Sequence, residues 1–468
     1  MNLILAVDQT GAIGNNGRLP WNIKQELQLF SKITHGHILV VGSTTMSTLP
    51  LLENREIIVL TNNPYLTTSK AGGLGWKNIP IGIVHSWDEV LRFYKSKSHE
   101  KEIFVAGGAQ IYSSALKIPG MITKIYISII HGQHQADTYV NNIDKCLTSY
   151  VLESHEPKDK FDHYVLSYNP NIIWGERQYL SLAEKILKEG ELRSGRNGGT
   201  FSLFGETLKF DLRVGFPLLT TKKMFTRGII EEFLFFLRGD TNTSILSDKN
   251  VKIWEGNTNK DFISKHGLPY AEGIMGPMYG YQWRSFGRPY TLDEEGRPID
   301  IKENEGIDQL KKLVDEIKTN PYSRRLLMTT YNPAQAEEGV LYPCHSIVTQ
   351  FYVSGDGKYI DMICYNRSQD LFLGVPYNIA SSSLLLMVVG KLTGITPRYL
   401  TMNMGDVHIY ESHITQMKEQ IKRFPYRPPI MDICGNICEI IDINNMSSTN
   451  FNLTNYSFHP TIKAEMVP

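Results

Sequence analysis

The sequence is short of cysteine, of net charge and of long apolar runs. Among 468 residues there are 5 Cys, an odd and sparse set that excludes a disulfide-stapled secreted scaffold and suits a reducing compartment. Lys and Arg number 48, and Asp and Glu number 48, so no basic excess exists to attract a nucleic acid or an acidic membrane surface. The balance also holds locally: 15 basic and 14 acidic side chains precede residue 169, and no basic stripe supports RNA binding. The apolar start Met1–Val7 is too short for a secretion signal and has no positive charge before it. The longest apolar run, Leu384–Val389 with the small residues before it, falls short of the roughly 18 residues of a membrane helix. The expectation is a cytoplasmic protein with no membrane or nucleic-acid partner. Metal-ligand clusters are lacking too. Cys434-Gly-Asn-Ile-Cys438 has no second pair beside it, and a metal site usually needs four ligands, so no metal is expected.

What is there is length and pattern. A chain of 468 residues is long enough for two or three domains, each with its own core. Up to about residue 130, short β-rich runs (Leu3–Val7, Ile38–Val41, Glu56–Leu60, Ile103–Ala106, Lys124–Ile130) alternate with helical patterns such as Ile23–Ile33 and Trp87–Tyr94. That alternation predicts an α/β domain with a mostly parallel central sheet flanked by helices. The stretch Glu153–Asn171 gathers charges, Pro157 and Pro170 around one more strand-like run, Tyr164–Tyr168. The expected division is therefore a first domain over 1–168, a short junction over 169–175, and a second domain over 176–468 that begins with the helical pattern Glu176–Glu189. The second domain mixes longer amphipathic helices with aromatic-rich strands and reads as α+β.

In the second domain Pro343-Cys344-His345 precedes a strand pattern, Gln350–Val353, which would hold Cys344 at a rigid strand start. A thiol beside His and near arginines is a candidate thiolate nucleophile with a lowered pKa. Tyr322-Ser-Arg-Arg325 and Asn366-Arg-Ser-Gln-Asp370 offer three guanidinium groups and a hydroxyl, a set suited to phosphate. Glu232 lies in Ile229-Ile-Glu-Glu-Phe-Leu-Phe-Phe-Leu237, and a carboxylate in so apolar a helix has a raised pKa and suits proton transfer through ordered water.

These motifs, with Phe216-Pro-Leu-Leu-Thr-Thr-Lys-Lys223, Phe235-Phe-Leu-Arg-Gly-Asp-Thr-Asn242, Gly276-Pro-Met-Tyr-Gly-Tyr-Gln-Trp-Arg284, Arg367-Ser-Gln-Asp-Leu-Phe-Leu-Gly-Val-Pro-Tyr-Asn-Ile-Ala380 and Gly405-Asp-Val-His-Ile-Tyr410, closely resemble those of thymidylate synthase from about residue 172 to 468. The resemblance implies that Cys344 adds to C6 of dUMP. C5 then attacks the methylene of 5,10-methylenetetrahydrofolate, which leaves as dihydrofolate. It gives the dUMP phosphate to Arg196, Arg367 and Ser368, with Arg324 and Arg325 donated by a second subunit, hence a homodimer through this domain. Asn378 would read the uracil edge, and His408 and Tyr410 would hold the ribose. Glu232 and Tyr279 would organise proton transfer, and Asp370 would bind the pterin. Three departures from the family pattern stand out. Arg196-Asn-Gly-Gly-Thr200 is one residue short, Cys344 to Gln350 is one residue long, and the chain reads Met466-Val-Pro468 where many relatives close over the folate with Ala-Val.

In the first domain Leu19-Pro-Trp-Asn-Ile-Lys-Gln-Glu26-Leu-Gln-Leu-Phe30 puts one acid in a helix with an apolar face at Ile23, Leu27 and Phe30. Ile103-Phe-Val-Ala-Gly107-Gly108-Ala-Gln-Ile-Tyr112 is a strand, two glycines and a helix start, an arrangement that brings backbone N–H groups to a phosphate. Gly-x-Gly-x-x-Gly is absent from it. With Ala6-Val-Asp8, Gly11-Ala-Ile-Gly14, Val40-Val-Gly42 and Arg55-Glu-Ile-Ile-Val-Leu60, these segments resemble dihydrofolate reductase. The resemblance makes Glu26 the buried acid that helps protonate N5 of dihydrofolate, with Ser128 behind it, while a nicotinamide hydride goes to C6. It places Phe30 on the aminobenzoyl ring, Arg55 on the glutamate α-carboxylate and Trp21 beside the pterin. Ala6, Gly14, Thr45, Gly107 and Gly108 would line the cofactor. Many reductases carry Arg or Lys where this chain has Ser43-Thr44 and Thr61-Asn62, and the later strand end offers only His85-Ser86. NADPH is expected with a reduced preference over NADH. The order of the halves resembles the bifunctional reductase-synthase family, and the alternative is an active synthase whose reductase half only binds folate or supports the dimer.

Overall fold

Runs of Ile and Val in the first 170 residues form an eight-stranded sheet with the order β5-β4-β3-β6-β1-β7-β10-β9. Its strands are β1 (Asn2–Asp8), β3 (Ile38–Gly42), β4 (Glu56–Leu60), β5 (Gly82–Val84), β6 (Ile103–Gly107), β7 (Lys124–Ile130), β9 (Tyr150–Pro157) and β10 (Phe161–Tyr168), while β2 (Ala12–Gly14) and β8 (Thr138–Tyr139) make a separate ribbon. Strands β5 through β7 run parallel, and β10 and β9 add two antiparallel partners. Leu39, Val40, Ile58, Val59 and Val105 are fully buried, as strands covered on both faces require. The covering helices include α1 (Lys24–Thr34), α2 (Ser43–Thr48), α3 (Trp87–Lys97) and α4 (Ala109–Leu116). The computed structural model describes residues 1–68, 73–97, 101–118, 120–140, 147–169, 175–195, 198–299 and 306–467.

The charged stretch before the boundary forms the last two strands of the first sheet. Glu153 and Glu156 lie on β9, and the turn from Lys158 to Phe161 closes a hairpin at the sheet's edge. Charge suits an edge strand because it discourages pairing with a further chain. The chain divides into two compact units, Met1–Ile173 and Trp174–Pro468. The expected junction at 169–175 lies mostly outside the described residues.

The second unit is built on a six-stranded sheet of order β11-β12-β16-β15-β14-β13. The strands are β11 (Glu191–Gly195), β12 (Gly198–Asp211), β13 (Leu327–Thr329), β14 (Val348–Val353), β15 (Tyr359–Asp370) and β16 (Thr396–Tyr410). Only β15 and β16 are parallel. One sheet face supports helices α5 (Glu176–Glu189), α6 (Thr226–Arg238), α7 (Gly280–Ser285), α8 (Gln309–Thr319) and α9 (Gly374–Thr393) around a single core. Helix α9 is longer than its apolar run suggests, because Asn378 and the Ser381–Ser383 triplet continue it. Its length and composition match a membrane span, yet 72% of it is buried inside the fold; it is the core helix of this unit.

Candidate active sites

Helix α1 turns its acid inward. Glu26 is 6% exposed, whereas Leu27 is 45% exposed, and Glu26, Leu27 and Phe30 together line a cavity. Burial pushes the Glu26 carboxyl up to about 7, with a hydrogen bond from Ser128 pulling it down. Ser128 is brought there by register: Ala6 on β1 pairs with Ser128 on β7, which pairs with His163 on β10. The Ser128 Oγ lies 3.4 Å from His163 Nδ1. His163 is buried, and desolvation lowers its pKa. Nothing in the sequence singles it out.

The cavity has a volume of about 1470 Å³. Trp21, Glu26, Phe30, Arg55, Ala6 and Gly14 line it. Trp21 Nε1 is buried with no hydrogen-bond partner among the described residues, a donor suited to a polar heterocycle or a water. Arg55 is clamped by Thr34 Oγ1 at 3.2 Å, the Glu53 carbonyl at 2.7 Å and the Ser31 carbonyl at 2.6 Å. Thr45, Gly107 and Gly108 also line the cavity. Gly107 has φ +127°, which a side chain disfavours, and a Cβ on Gly108 would meet Thr45 Oγ1 at 3.0 Å. Helix α4 starts directly after Gly108 with no side-chain cap, leaving N–H groups available to an anion. Tyr112, overlooked in the sequence, donates to the Ile4 carbonyl at 2.9 Å beside Glu26.

In the second unit Cys344 is not at a strand start. It sits in the loop before β14, fixed instead by β15: Arg367 N–H donates to the Cys344 carbonyl at 2.8 Å and Ser368 N–H at 3.3 Å. Within this loop Ser346 takes φ +52°. Tyr279 Oη lies 3.3 Å from Cys344 Sγ, and its ring stacks on His345 at 4.3 Å. The thiol is not lowered as its neighbours suggested. Burial pushes it up, against opposing pulls from the Tyr279 hydrogen bond and the Arg367 charge.

Tyr279 is positioned by close backbone packing. A Cβ on Gly280 would lie 2.2 Å from the Phe236 carbonyl, so only glycine lets α7 rest on α6. Helix α6 separates the two acids that the sequence left as a pair. Glu231 is 5% exposed and bonded to Lys249 at 2.7 Å, whereas Glu232 accepts from Trp254 Nε1 at 2.8 Å. Burial raises the Glu232 carboxyl to about 7, and its charge is felt by Tyr279. Trp254 carries no sequence signal for this contact.

The parallel register of β15 and β16 sets Ser368 beside Asp406 and Asp370 beside His408. His408 Nδ1 bonds Asp406 at 2.8 Å, and its ring meets Tyr410 edge-on at 5.1 Å. Asn378 on α9 donates to Gln369 Oε1 at 3.0 Å. Buried Lys222 donates to the Phe372 carbonyl and lies over the Phe372 ring; burial lowers it to about 7, against the pull of Asp370 and Glu176. Arg324 and Arg325 are exposed, and among the described residues no ion pair or side-chain hydrogen bond ties them to this cluster. Arg196 and Pro468 lie outside the described residues. No group of metal-ligating side chains occurs among those described.

The thymidylate synthase family model matches residues 177–468 and the dihydrofolate reductase model residues 1–174. The chain is 35% identical to a bifunctional dihydrofolate reductase-thymidylate synthase of Paramecium tetraurelia over 99% of this chain and 98% of the relative. With that of Leishmania major the identity is 33% over 99% and 94%. The thymidylate synthase of Saccharomyces cerevisiae is 44% identical over 62% of this chain and 96% of its own length.

Proposed function

The chain belongs to the bifunctional dihydrofolate reductase-thymidylate synthases, and from that premise we propose how its residues divide the work. The enzyme converts dUMP to dTMP with 5,10-methylenetetrahydrofolate, which leaves as dihydrofolate, and reduces dihydrofolate to tetrahydrofolate. In our reading a reductase domain spans 1–168 and a synthase domain 176–468, in the cytoplasm, with neither nucleic acid nor membrane as partner.

The observation that carries the synthase assignment is the Cys344 sulfur under Tyr279 Oη, with Arg367 and Ser368 bonded to the Cys344 carbonyl. Cys344 Sγ attacks C6 of dUMP as thiolate. Burial holds the thiol high, so it gives up its proton to the Tyr279–water–Glu232 network as the bond to C6 forms, with the Arg367 charge favouring the thiolate. Glu232, poised near 7, takes and returns protons through water with Tyr279. Asn378, oriented by Gln369, reads the uracil edge. His408 and Tyr410 hold the ribose, and Asp370 binds the pterin. Arg196, Arg367 and Ser368 hold the phosphate with the partner subunit's Arg324 and Arg325.

The homodimer this requires is supported by the sheet face opposite the core. Val348, Tyr352, Ile363 and Tyr365 on adjacent strands all point outward and are at least 38% exposed, an apolar patch of the kind that marks an interface.

In the reductase domain Glu26 protonates the pterin through its raised pKa, and Ser128 fixes the carboxyl. Arg55 takes the glutamate carboxylate, and Phe30 and Trp21 pack on the folate. The residues present fit a nicotinamide dinucleotide: the uncapped start of α4 and the Gly107-Gly108 turn suit its phosphates, and that group, when bound, supplies the hydride. Ser43, Thr44, Thr61 and Asn62 line the cavity without fixed positive charge, which supports NADPH use with a reduced preference over NADH. A preference above roughly a thousandfold, about 4 kcal/mol, contradicts that reading. The assignment is tested by supplying dUMP, methylenetetrahydrofolate and NADPH to the purified chain; dTMP and NADP⁺ should form together, and dihydrofolate alone should drive NADPH oxidation.

A further inference from the structure

Two tyrosines outside the motifs that mark the synthase site converge on Arg367. The Arg367 guanidinium uses one donor inside the protein: Nε donates to the Pro343 carbonyl at 3.1 Å. Its carbon lies over the face of the Tyr342 ring, 5.1 Å from the ring centre, the geometry of a cation–π contact. Among the described residues no acceptor is bonded to its two terminal nitrogens. A guanidinium held at one nitrogen and one face keeps its fork for a ligand, and a phosphate is the anion that fork fits.

Tyr342 is 42% exposed, and an exposed ring keeps its rotamer freedom unless something fixes it. Here Tyr342 Oη lies 2.9 Å from Tyr331 Oη, with the ring centres 5.9 Å apart. Tyr331 is itself tied to the nucleophile loop from the other side. Its N–H donates to Thr329 Oγ1 at 3.1 Å, and that hydroxyl donates to the Ile347 carbonyl at 2.5 Å. The neighbouring Thr330 donates through N–H to the Ile347 carbonyl at 3.2 Å and through Oγ1 to the Ser346 carbonyl at 2.9 Å. Tyr331 is thereby fixed to the residues after Cys344, and Tyr342 precedes Pro343 on the other side of it. The phenol–phenol bond closes this frame under Arg367.

We propose that Tyr342 is a positioning residue for dUMP: its ring is the platform that aims the Arg367 fork at the phosphate, and Tyr331 holds the platform still. An arginine oriented in advance loses little rotamer freedom when the phosphate arrives, so the platform strengthens binding and leaves the chemical step alone. This rests on the synthase reading above, in which Arg367 takes the phosphate.

The test measures, on the full chain, calorimetric binding of dUMP, competition of inorganic phosphate against dUMP, and kcat and KM of the synthase. Y342L keeps apolar bulk without a π face. It should weaken dUMP and phosphate together by about three- to thirtyfold, with kcat, the methylenetetrahydrofolate KM and the reductase rate within about twofold of wild type. Y342F keeps the ring and should restore dUMP affinity to within about threefold of wild type. Y331F should match Y342F, and the double variant should be no weaker than either, because each change removes the same hydrogen bond. Y342M, measured alongside, gives the same comparison with a flexible side chain, so a folding defect peculiar to leucine does not decide the outcome. Wild-type affinity for dUMP and phosphate in Y342L and Y342M, or an equal loss in Y342F, overturns the proposal. A loss in Y342L and Y342M that extends to kcat and the folate KM overturns it too, as the mark of a distorted loop. R367A with unchanged affinity for dUMP and phosphate overturns the reading of Arg367 instead.

Discussion

Each half of the chain holds a glutamate whose carboxyl is brought by burial to about 7. Around these matched acids the two sites are built differently. Glu26 faces one continuous cavity whose walls are mainly strand ends, helix starts and glycines, and the hydride comes from the cofactor. In our reading Glu232 serves a site assembled from a loop, two strands and three helices, in which the protein itself supplies the nucleophile. A half that lends shape and one proton needs few fixed side chains. A half that forms a covalent bond needs its thiol, hydroxyl and carboxylate in one geometry, and Gly280 and Tyr279 show the backbone cost of providing it: a glycine with no room for a Cβ and a non-glycine residue at φ +37°.

The comparison is sharpened by removing each acid in turn. E232Q should reduce the turnover of dTMP formation by about 10²–10³, within the range of general acid–base catalysis, with dUMP affinity little changed; steady-state kinetics and dUMP binding measure both. E26Q should reduce dihydrofolate turnover at neutral pH by about 10². Because the neutral carboxyl is the proton donor, the wild-type reductase rate should decline as pH rises through about 7, and E26Q should lose that inflection. A wild-type rate without an inflection near 7 removes Glu26 from the proton path.

A smaller effect appears in stability. Glu26 has a folded-state pKa raised from 4.5 to about 7, so its contribution is fully present below about 4.5 and is lost as pH rises through 7. E26Q should therefore be more stable than wild type at pH 8, by about 1–3 kcal/mol, and equal to it near pH 4.5. Denaturant melts at the two pH values check the sign. The smallest effect is expected of S128A, which removes the bond that holds the Glu26 pKa down; the kinetic inflection should move upward by about half a unit.

Much of this was legible in the sequence. Strands such as Glu56–Leu60 and Lys124–Ile130 and the helix Glu176–Glu189 begin and end where their patterns do, because a period of two or of 3.6 is a local property. The long motifs around Cys344, Asn378 and His408 marked the synthase cluster. What escaped was set by tertiary contacts. The Trp254 bond to Glu232 and the alignment of Ser128 with His163 depend on packing and register across distant segments. The Cys344 thiol was misjudged because neighbouring residues advertise charge, whereas burial is decided by the whole fold.

The central claim is that two separate sites share one chain, each with its own indispensable side chain. The most direct test is C344A assayed in parallel for dTMP formation and for dihydrofolate-dependent NADPH oxidation, on protein whose thermal unfolding matches wild type. The account predicts no dTMP formation with reductase turnover largely intact; loss of both activities together in that folded protein would contradict it.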